Sequence, residues 1–176
     1  MEVREKKSLI ESLLFVSGEP VMLAGLKNIT DLPEPEIKEL LEELMSEYKE
    51  KNSGLQIIEV ANGYQMATNP VYAPWIKKLK NTSTANKLSM PALETLAIIA
   101  YNQPIIKAEI EQIRGVNSDG VIKTLVDRRL IRIMGRKEVP GKPLLYGTTH
   151  EFLQYFGLKD LAGLPTIKEL TREEAA

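Results

Sequence analysis

The residues able to do chemistry in this chain are few, and their spacing argues against a catalytic centre. His150 is the one histidine of the sequence. It follows Thr148-Thr149 at the expected start of a helix, and no carboxylates with metal-ligand spacing surround it, so it reads as a surface or capping residue. The stretch Gly135 to Lys142 has the look of a phosphate-binding loop. However, five residues, Arg136 to Pro140, separate its glycines where such a loop has four, and Pro143 stands where a hydroxyl would hold magnesium. Gly115 to Gly120 lacks the lysine that would follow, and its glycines suit the corner of a helix-turn-helix. Cysteine is absent, which removes thiol nucleophiles, thiolate zinc sites and disulfides. The sequence therefore assigns no catalytic, cofactor-binding or metal-binding residue, and the expectation is a binding protein, not an enzyme.

The elements that carry these residues must come from an ordinary folding chain. Of 176 residues, 43% are hydrophobic and 27% charged, with a formal net charge of -1. That composition sustains a packed core, and it gives no global positive field to draw the molecule onto nucleic acid or an anionic membrane. Glu11 interrupts the apolar run from Leu9 to Val16, which argues against a secretory signal, and Leu96 to Tyr101 is far too short to span a bilayer. A cytoplasmic location is expected.

A duplication organises the chain. Sliding the sequence by 84 positions brings Leu9 onto Leu93, Leu14 onto Ile98, Pro20 onto Pro104, Val21 onto Ile105, Ile37 onto Val121 and Leu41 onto Leu125, without a gap. Each copy reads as helix, proline turn, short helix, tight turn, longer helix and two strands. In the first copy Leu9, Ile10, Leu13, Leu14 and Val16 recur at helical spacing, and Gly18-Glu19-Pro20 ends that helix. A short helix from about Met22 to Asn28 follows. Ile37, Leu40, Leu41, Leu44, Met45 and Tyr48 then mark the stripe of a long helix. Asn62-Gly63 between Leu55–Val60 and Tyr64–Thr68 is a hairpin signal. In the second copy Ser89 is an N-cap followed by proline, a helix runs from about Ser118 to Arg129, and strands lie near 131–134 and 144–148. The expected fold class is α+β, mainly helical, with two tandem winged helix-turn-helix domains. The domains are 1–80 and 89–158, with a polar linker at 81–88 and a tail at 159–176. That tail has apolar residues at every third position from Leu161 to Leu170.

Charge differs between the two copies. The third helix of the first carries Glu34, Glu36, Glu39, Glu42, Glu43, Glu47 and Glu50 against Lys38, Lys49 and Lys51, a balance that phosphates repel. Val121 to Gly147 carries Lys123, Arg128, Arg129, Arg132, Arg136, Lys137 and Lys142 against Asp127 and Glu138. That patch is open to two readings: contact with DNA, for which Arg132, Arg136 and Lys137 are the candidates, or a solvated face beside an acidic partner. The helix from Ala92 to Tyr101 is apolar nearly all round. A second covering surface is expected for it, either the neighbouring domain or tail, or a partner chain. Aromatics follow each hairpin: Tyr72 and Trp75 in the first copy, Phe152, Tyr155 and Phe156 in the second.

The second copy resembles the segregation and condensation protein B family, ScpB. The resemblance lies in Ala92-Leu93-Glu94-Thr95-Leu96-Ala97-Ile98-Ile99-Ala100-Tyr101-Asn102-Gln103-Pro104, Ile113-Arg114-Gly115-Val116-Asn117-Ser118, Pro140-Gly141-Lys142-Pro143, Leu145-Tyr146, Thr148-Thr149 and Phe156-Gly157-Leu158. The first copy matches more loosely, through Ile10-Glu11-Ser12-Leu13-Leu14-Phe15 and Gly18-Glu19-Pro20. The resemblance implies a non-enzymatic, cofactor-free subunit of the bacterial SMC condensin complex, acting in chromosome condensation, segregation and cell division. It implies a nucleoid-associated homodimer that binds the kleisin ScpA and through it SMC, with DNA reached indirectly and no membrane. Dimer contacts are expected chiefly in the first domain, with Tyr72 and Trp75 as candidates. Kleisin contacts are expected in the second, with Tyr101, Ile105 and Ile106 as candidates. The alternative from the residues alone is a DNA-binding regulator using the second, basic wing.

Overall fold

The computed structural model describes residues 1–80 and 87–166. These form two compact units, one built from residues 1–80 together with 157–166, the other from 87–156. The tail starts two residues earlier than expected, because Gly157 and Leu158 group with the first unit. Residues 81–86 of the expected linker, and 167–176 of the tail, lie outside the described residues.

The first unit runs α1 (Val3–Ser17), α2 (Leu23–Thr30), α3 (Glu34–Glu50), β1 (Leu55–Val60), β2 (Gly63–Thr68), a 3₁₀ turn (Pro70–Tyr72) and α4 (Ala73–Leu79). Its core joins Ile10 and Leu14 of α1, Leu26 of α2, Ile37, Leu40, Leu41 and Leu44 of α3, Ile57 and Tyr64. α1 stops at Gly18, whose φ of 66° is the left-handed conformation that glycine adopts without a Cβ penalty. Val16, which helical spacing groups with the core stripe, is instead 79% exposed. It lies off the row of Ile10 and Leu14, the buried pair one turn apart. Polar contacts also fasten α1 to α3: Lys7 bridges Glu43 at 2.6 Å and Glu47 at 2.7 Å, and the Tyr48 hydroxyl donates to Glu11.

The first hairpin turns one residue earlier than its Asn-Gly signal suggests. Val60 pairs with Gly63, so Ala61 and Asn62 form the two-residue loop, with φ of 49° and 55°. Gly63 is needed for a different reason. The bridge between Val21 and Tyr64, with N–H···O distances of 2.9 Å in both directions, brings the Val21 backbone over it, and a Cβ there would lie 2.9 Å from Val21 C and O.

The second unit runs α5 (Met90–Asn102), β3 (Ile105–Ile106), α6 (Lys107–Arg114), α7 (Asp119–Asp127), β4 (Ile131–Arg136), β5 (Leu144–Thr148) and α8 (His150–Phe156), with sheet order β3-β5-β4. Ser89 Oγ accepts from Ala92 N at 3.4 Å, with Met90 first and Pro91 second in α5. α7 ends at Asp127, two residues short of expectation, since Arg129 has a φ of 58° and cannot continue a helix. The apolar helix α5 is central to its own unit, packing on α6, α7 and β5. Ala92, Thr95, Leu96, Ile99 and Ala100 are buried there. The second cover expected from another domain or chain is thus supplied mostly by the unit's own sheet and helices.

Duplication is visible in the elements but not without a gap. α2 and α6 correspond residue for residue at the 84-residue offset, and so do the pairings Val21 to Tyr64 and Ile105 to Tyr146 on their first strands. In the first helices the same offset fails, because it sets buried Ile10 on exposed Glu94 and Phe15, 70% exposed, on fully buried Ile99.

Two tests follow from this packing. Gly63→Ala forces the Val21 backbone away and is expected to destabilise the first unit by about 1–3 kcal/mol, whereas Gly120→Ala, with open space around it, stays near neutral. Chemical denaturation of the two variants measures the difference. The Tyr48 hydroxyl has its pKa pushed up to about 12, by burial first and the Glu11 carboxylate second. A raised folded-state pKa adds stability below the ordinary value of 10.0 that is lost as pH rises through about 12. Tyr48→Phe should therefore flatten the alkaline fall in stability over that window and remove the latest step of tyrosinate absorbance.

Candidate interaction surfaces

Short elements after each hairpin position the exposed aromatics. In the first unit Asn69 Oδ1 accepts from Val71 N at 3.1 Å, while Asn69 N and Nδ2 donate to the carbonyls of Gly54 at 2.9 Å and Ser53 at 3.2 Å. This anchor fixes the 3₁₀ turn against the loop between α3 and β1, and Pro70 suits its first position. The chain leaves through α4 with Val71, Tyr72, Trp75 and Leu79 exposed by 69%, 44%, 64% and 84%. Their spacing lays them along one stripe. Tyr72 and Trp75 have ring centroids 6.3 Å apart at 58°, an arrangement within the favourable range for aromatic pairs. Lys78 and Lys80 rim the stripe and are exposed. The stripe holds four large apolar side chains that the described residues leave exposed on a ten-residue segment.

A second exposed pair escapes the sequence reading. Phe15 and Val16 end α1 at 70% and 79% exposure, and Met22 follows at 50%. The signal was present in the phase of the helix: Ile10 and Leu14 already complete the buried row, so the two apolar residues after Leu14 fall outside it.

In the second unit the three candidates around β3 have different fates. Tyr101 is 43% exposed. Ile106 is half-buried, paired with Leu145 on one face of the sheet, and its N–H donates to Glu109 Oε2 at 3.1 Å. Ile105 is 3% exposed and paired with Tyr146 on the other face, so it is a core position and not a surface one. Gln103 holds this corner rigid. Its Oε1 accepts from Thr148 N at 2.8 Å and Thr148 Oγ1 at 3.0 Å, while its Nε2 donates to Ala100 O at 3.0 Å. Ile113 and Val116, at the turn between α6 and α7, are 56% and 55% exposed. Phe152 is buried under α8, whereas Tyr155 and Phe156 are 50% and 43% exposed in a chain of rings 5.0 Å apart. The cap of α8 is Thr149, whose Oγ1 accepts from Phe152 N at 3.1 Å, which leaves His150 a half-buried first-turn residue.

The three basic candidates do not form one surface. Arg132 pairs with Gly147, and Arg136 with Leu144, across a register shift between Ile133 and Gly135. Gly147 and Leu144 are three residues apart on one strand and so face opposite ways, and their partners do too. Arg136 Nη1 donates to Lys142 O at 3.1 Å, folding back on its own hairpin. Lys137 Nζ is held by Glu109 Oε1 at 2.6 Å, and that ion pair, with the Ile106 N–H, keeps the Glu109 carboxyl below its ordinary pKa.

Against known proteins, the sequence profile of the family described as "Segregation and condensation complex subunit ScpB" matches residues 8–167. Segregation and condensation protein B of Syntrophotalea carbinolica is 48% identical over 171 residues, covering 97% of this chain and 86% of that protein. The Bacillus cereus (strain G9842) protein of the same name is 48% identical over 170 residues, covering 96% and 90%. A crystal structure of a dimer of the ScpB N-terminal domain complexed with ScpA peptide is 29% identical, covers 44% of this chain and 96% of that one, and superposes with a TM-score of 0.42. A profile match across nearly the whole length, together with such identity, makes the chain a member of the segregation and condensation complex subunit ScpB family.

Proposed function

We propose that this chain acts without catalysis, as a homodimer of two tandem winged helix-turn-helix units that binds the kleisin ScpA and through it SMC. It works in the cytoplasm on the nucleoid, and DNA is reached through the complex and not by direct grip. The observation that carries the proposal is the stripe Val71, Tyr72, Trp75 and Leu79, which no described part of the chain shelters. In each unit three helices precede a hairpin, the order of a winged helix-turn-helix. No helix among the described residues is long and apolar enough to cross a membrane.

In this reading the first units associate through the stripe of α4, and the second units offer Tyr101 and Ile106 to the kleisin, with Ile113 and Val116 extending the apolar surface. Pairing two copies raises the local concentration of the second kleisin-binding face once the first has engaged. A flexible kleisin segment ordering on apolar surface binds with a large negative heat-capacity change, which titration calorimetry at several temperatures reads directly.

Light scattering tests the assembly. The wild-type chain is expected at twice its formula mass, and Trp75→Asp at one, with an unchanged circular dichroism spectrum because Trp75 is already 64% exposed and the fold of the single chain does not need it. Equal masses for the two proteins would defeat the α4 assignment. Tyr101→Ala should weaken binding of a kleisin fragment about tenfold or more while leaving the dimer intact.

Charge reversal separates this reading from nucleic-acid recognition. Arg132→Glu with Arg136→Glu is expected to leave kleisin affinity within about threefold of wild type, since rim charges contribute little. A duplex affinity that falls steeply with salt and vanishes on that double reversal would instead favour the DNA-binding regulator.

A further inference from the structure

We infer that residues 157–164 are a clasp: after the second unit is complete, the chain returns to the turn of the first hairpin and folds as part of the first unit. A two-residue turn leaves the N–H groups of its central residues without ladder partners. Here those residues are Ala61 and Asn62. Their N–H groups donate to the carbonyls of Leu158 and Lys159, both at 2.8 Å. Ala61 is 1% exposed, so without the clasp a buried donor would open to water or lose its partner.

The local sequence is built to deliver those carbonyls. Gly157 takes a φ of 65°, the left-handed turn that redirects the chain after α8. Lys159 Nζ meets Glu59 at 2.8 Å beside the hairpin, and its pKa is raised by that pairing. Asp160 Oδ1 accepts from Ala162 N at 2.8 Å and opens a 3₁₀ turn at Leu161–Gly163. That turn folds back so closely that a Cβ on Gly163 would stand 3.4 Å from Leu158 Cδ2. Lys159 is 57% exposed, so the ion pair adds register more than affinity, and the paired backbone carries the contact.

Two consequences follow. The tip of the first hairpin, which reaches outward in a winged helix, is already occupied by the chain's own backbone and is closed to an external groove or strand. The second unit is covalently an insert, flanked on both sides by segments that fold with the first. This inference is independent of which surface makes the dimer.

Amide hydrogen exchange followed by NMR on the full chain tests it. The Ala61 and Asn62 amides are expected to be protected by about a hundredfold or more, although neither has a partner in the hairpin ladder and Asn62 is exposed. A chain ending at Thr166 should keep that protection. A chain ending at Phe156 should lose it while the Tyr64 amide, which donates to Val21 O, stays protected, and the melting temperature of the first unit should fall by about 5 °C or more. Gly157→Val, which strains the left-handed turn, should raise exchange at the same two amides in the full-length protein, and it serves if the shortened chain fails to fold. Unprotected amides at Ala61 and Asn62 in the unmodified chain, or protection that survives loss of 157–166, would overturn the clasp.

Discussion

Each unit of this protein closes through one backbone pairing. The residue after the proline turn, Val21 in the first unit and Ile105 in the second, bonds to a tyrosine on the returning strand of the hairpin, Tyr64 or Tyr146. Without that pairing a helical layer and a two-stranded ribbon would meet only through side chains, and an isolated ribbon is marginal in water. With it, the ribbon becomes the edge of a small sheet that starts among the helices. Several other features are fixed by it: Gly63 must be bare because Val21 lies over it, and Gln103 can clamp Ala100 to Thr148 because β3 delivers the end of α5 beside β5.

The same closure explains how apolar surface is divided between interior and exterior. In the second unit β3 lengthens into a strand, and α5 becomes the central helix, buried against two helices and the sheet. In the first unit a single bridge does the work, and α1 is peripheral, with buried Ile10 and Leu14 on one side and Phe15 and Val16 left outside. Membership of the ScpB family makes the chain a segregation and condensation complex subunit.

Much of this was legible in the sequence, and the failures have physical causes. Helical spacing found α1 and α3, the repeated unit supplied the short helices α2 and α6 and the helix α7, and Ser89 announced the start of α5, because caps and periodicity are local properties. Asn62-Gly63 located the hairpin but misplaced its loop by one residue, since the demand for glycine came from the backbone of Val21, some forty positions away in the chain. Composition called α5 oversupplied with apolar residues, yet it cannot say which of its own unit's elements surround a helix. Ile105 and Ile106 look alike in sequence, and only the strand pleat separates a core residue from a surface one. Tyr72 and Trp75 were found as aromatics after the first hairpin, and the structure leaves both of them exposed.

Charge was the least legible property, because counting along a segment ignores direction. The basic excess of the second hairpin looks like a nucleic-acid footprint on paper. In three dimensions the irregularity between Ile133 and Gly135 turns Arg132 and Arg136 to opposite faces, and Lys137 is bound to Glu109. The acidic excess of α3 is likewise partly spent within the molecule, where Lys7 reaches both Glu43 and Glu47. A duplex gains its affinity from several cations presented together to one line of phosphates. Cations that point apart or are already paired cannot make that line, whereas apolar side chains at the end of a short rigid helix need no common direction of charge to find a complementary surface. The three candidate cations are thus divided between two faces and an ion pair, while Val71, Tyr72, Trp75 and Leu79 stay exposed along one short segment.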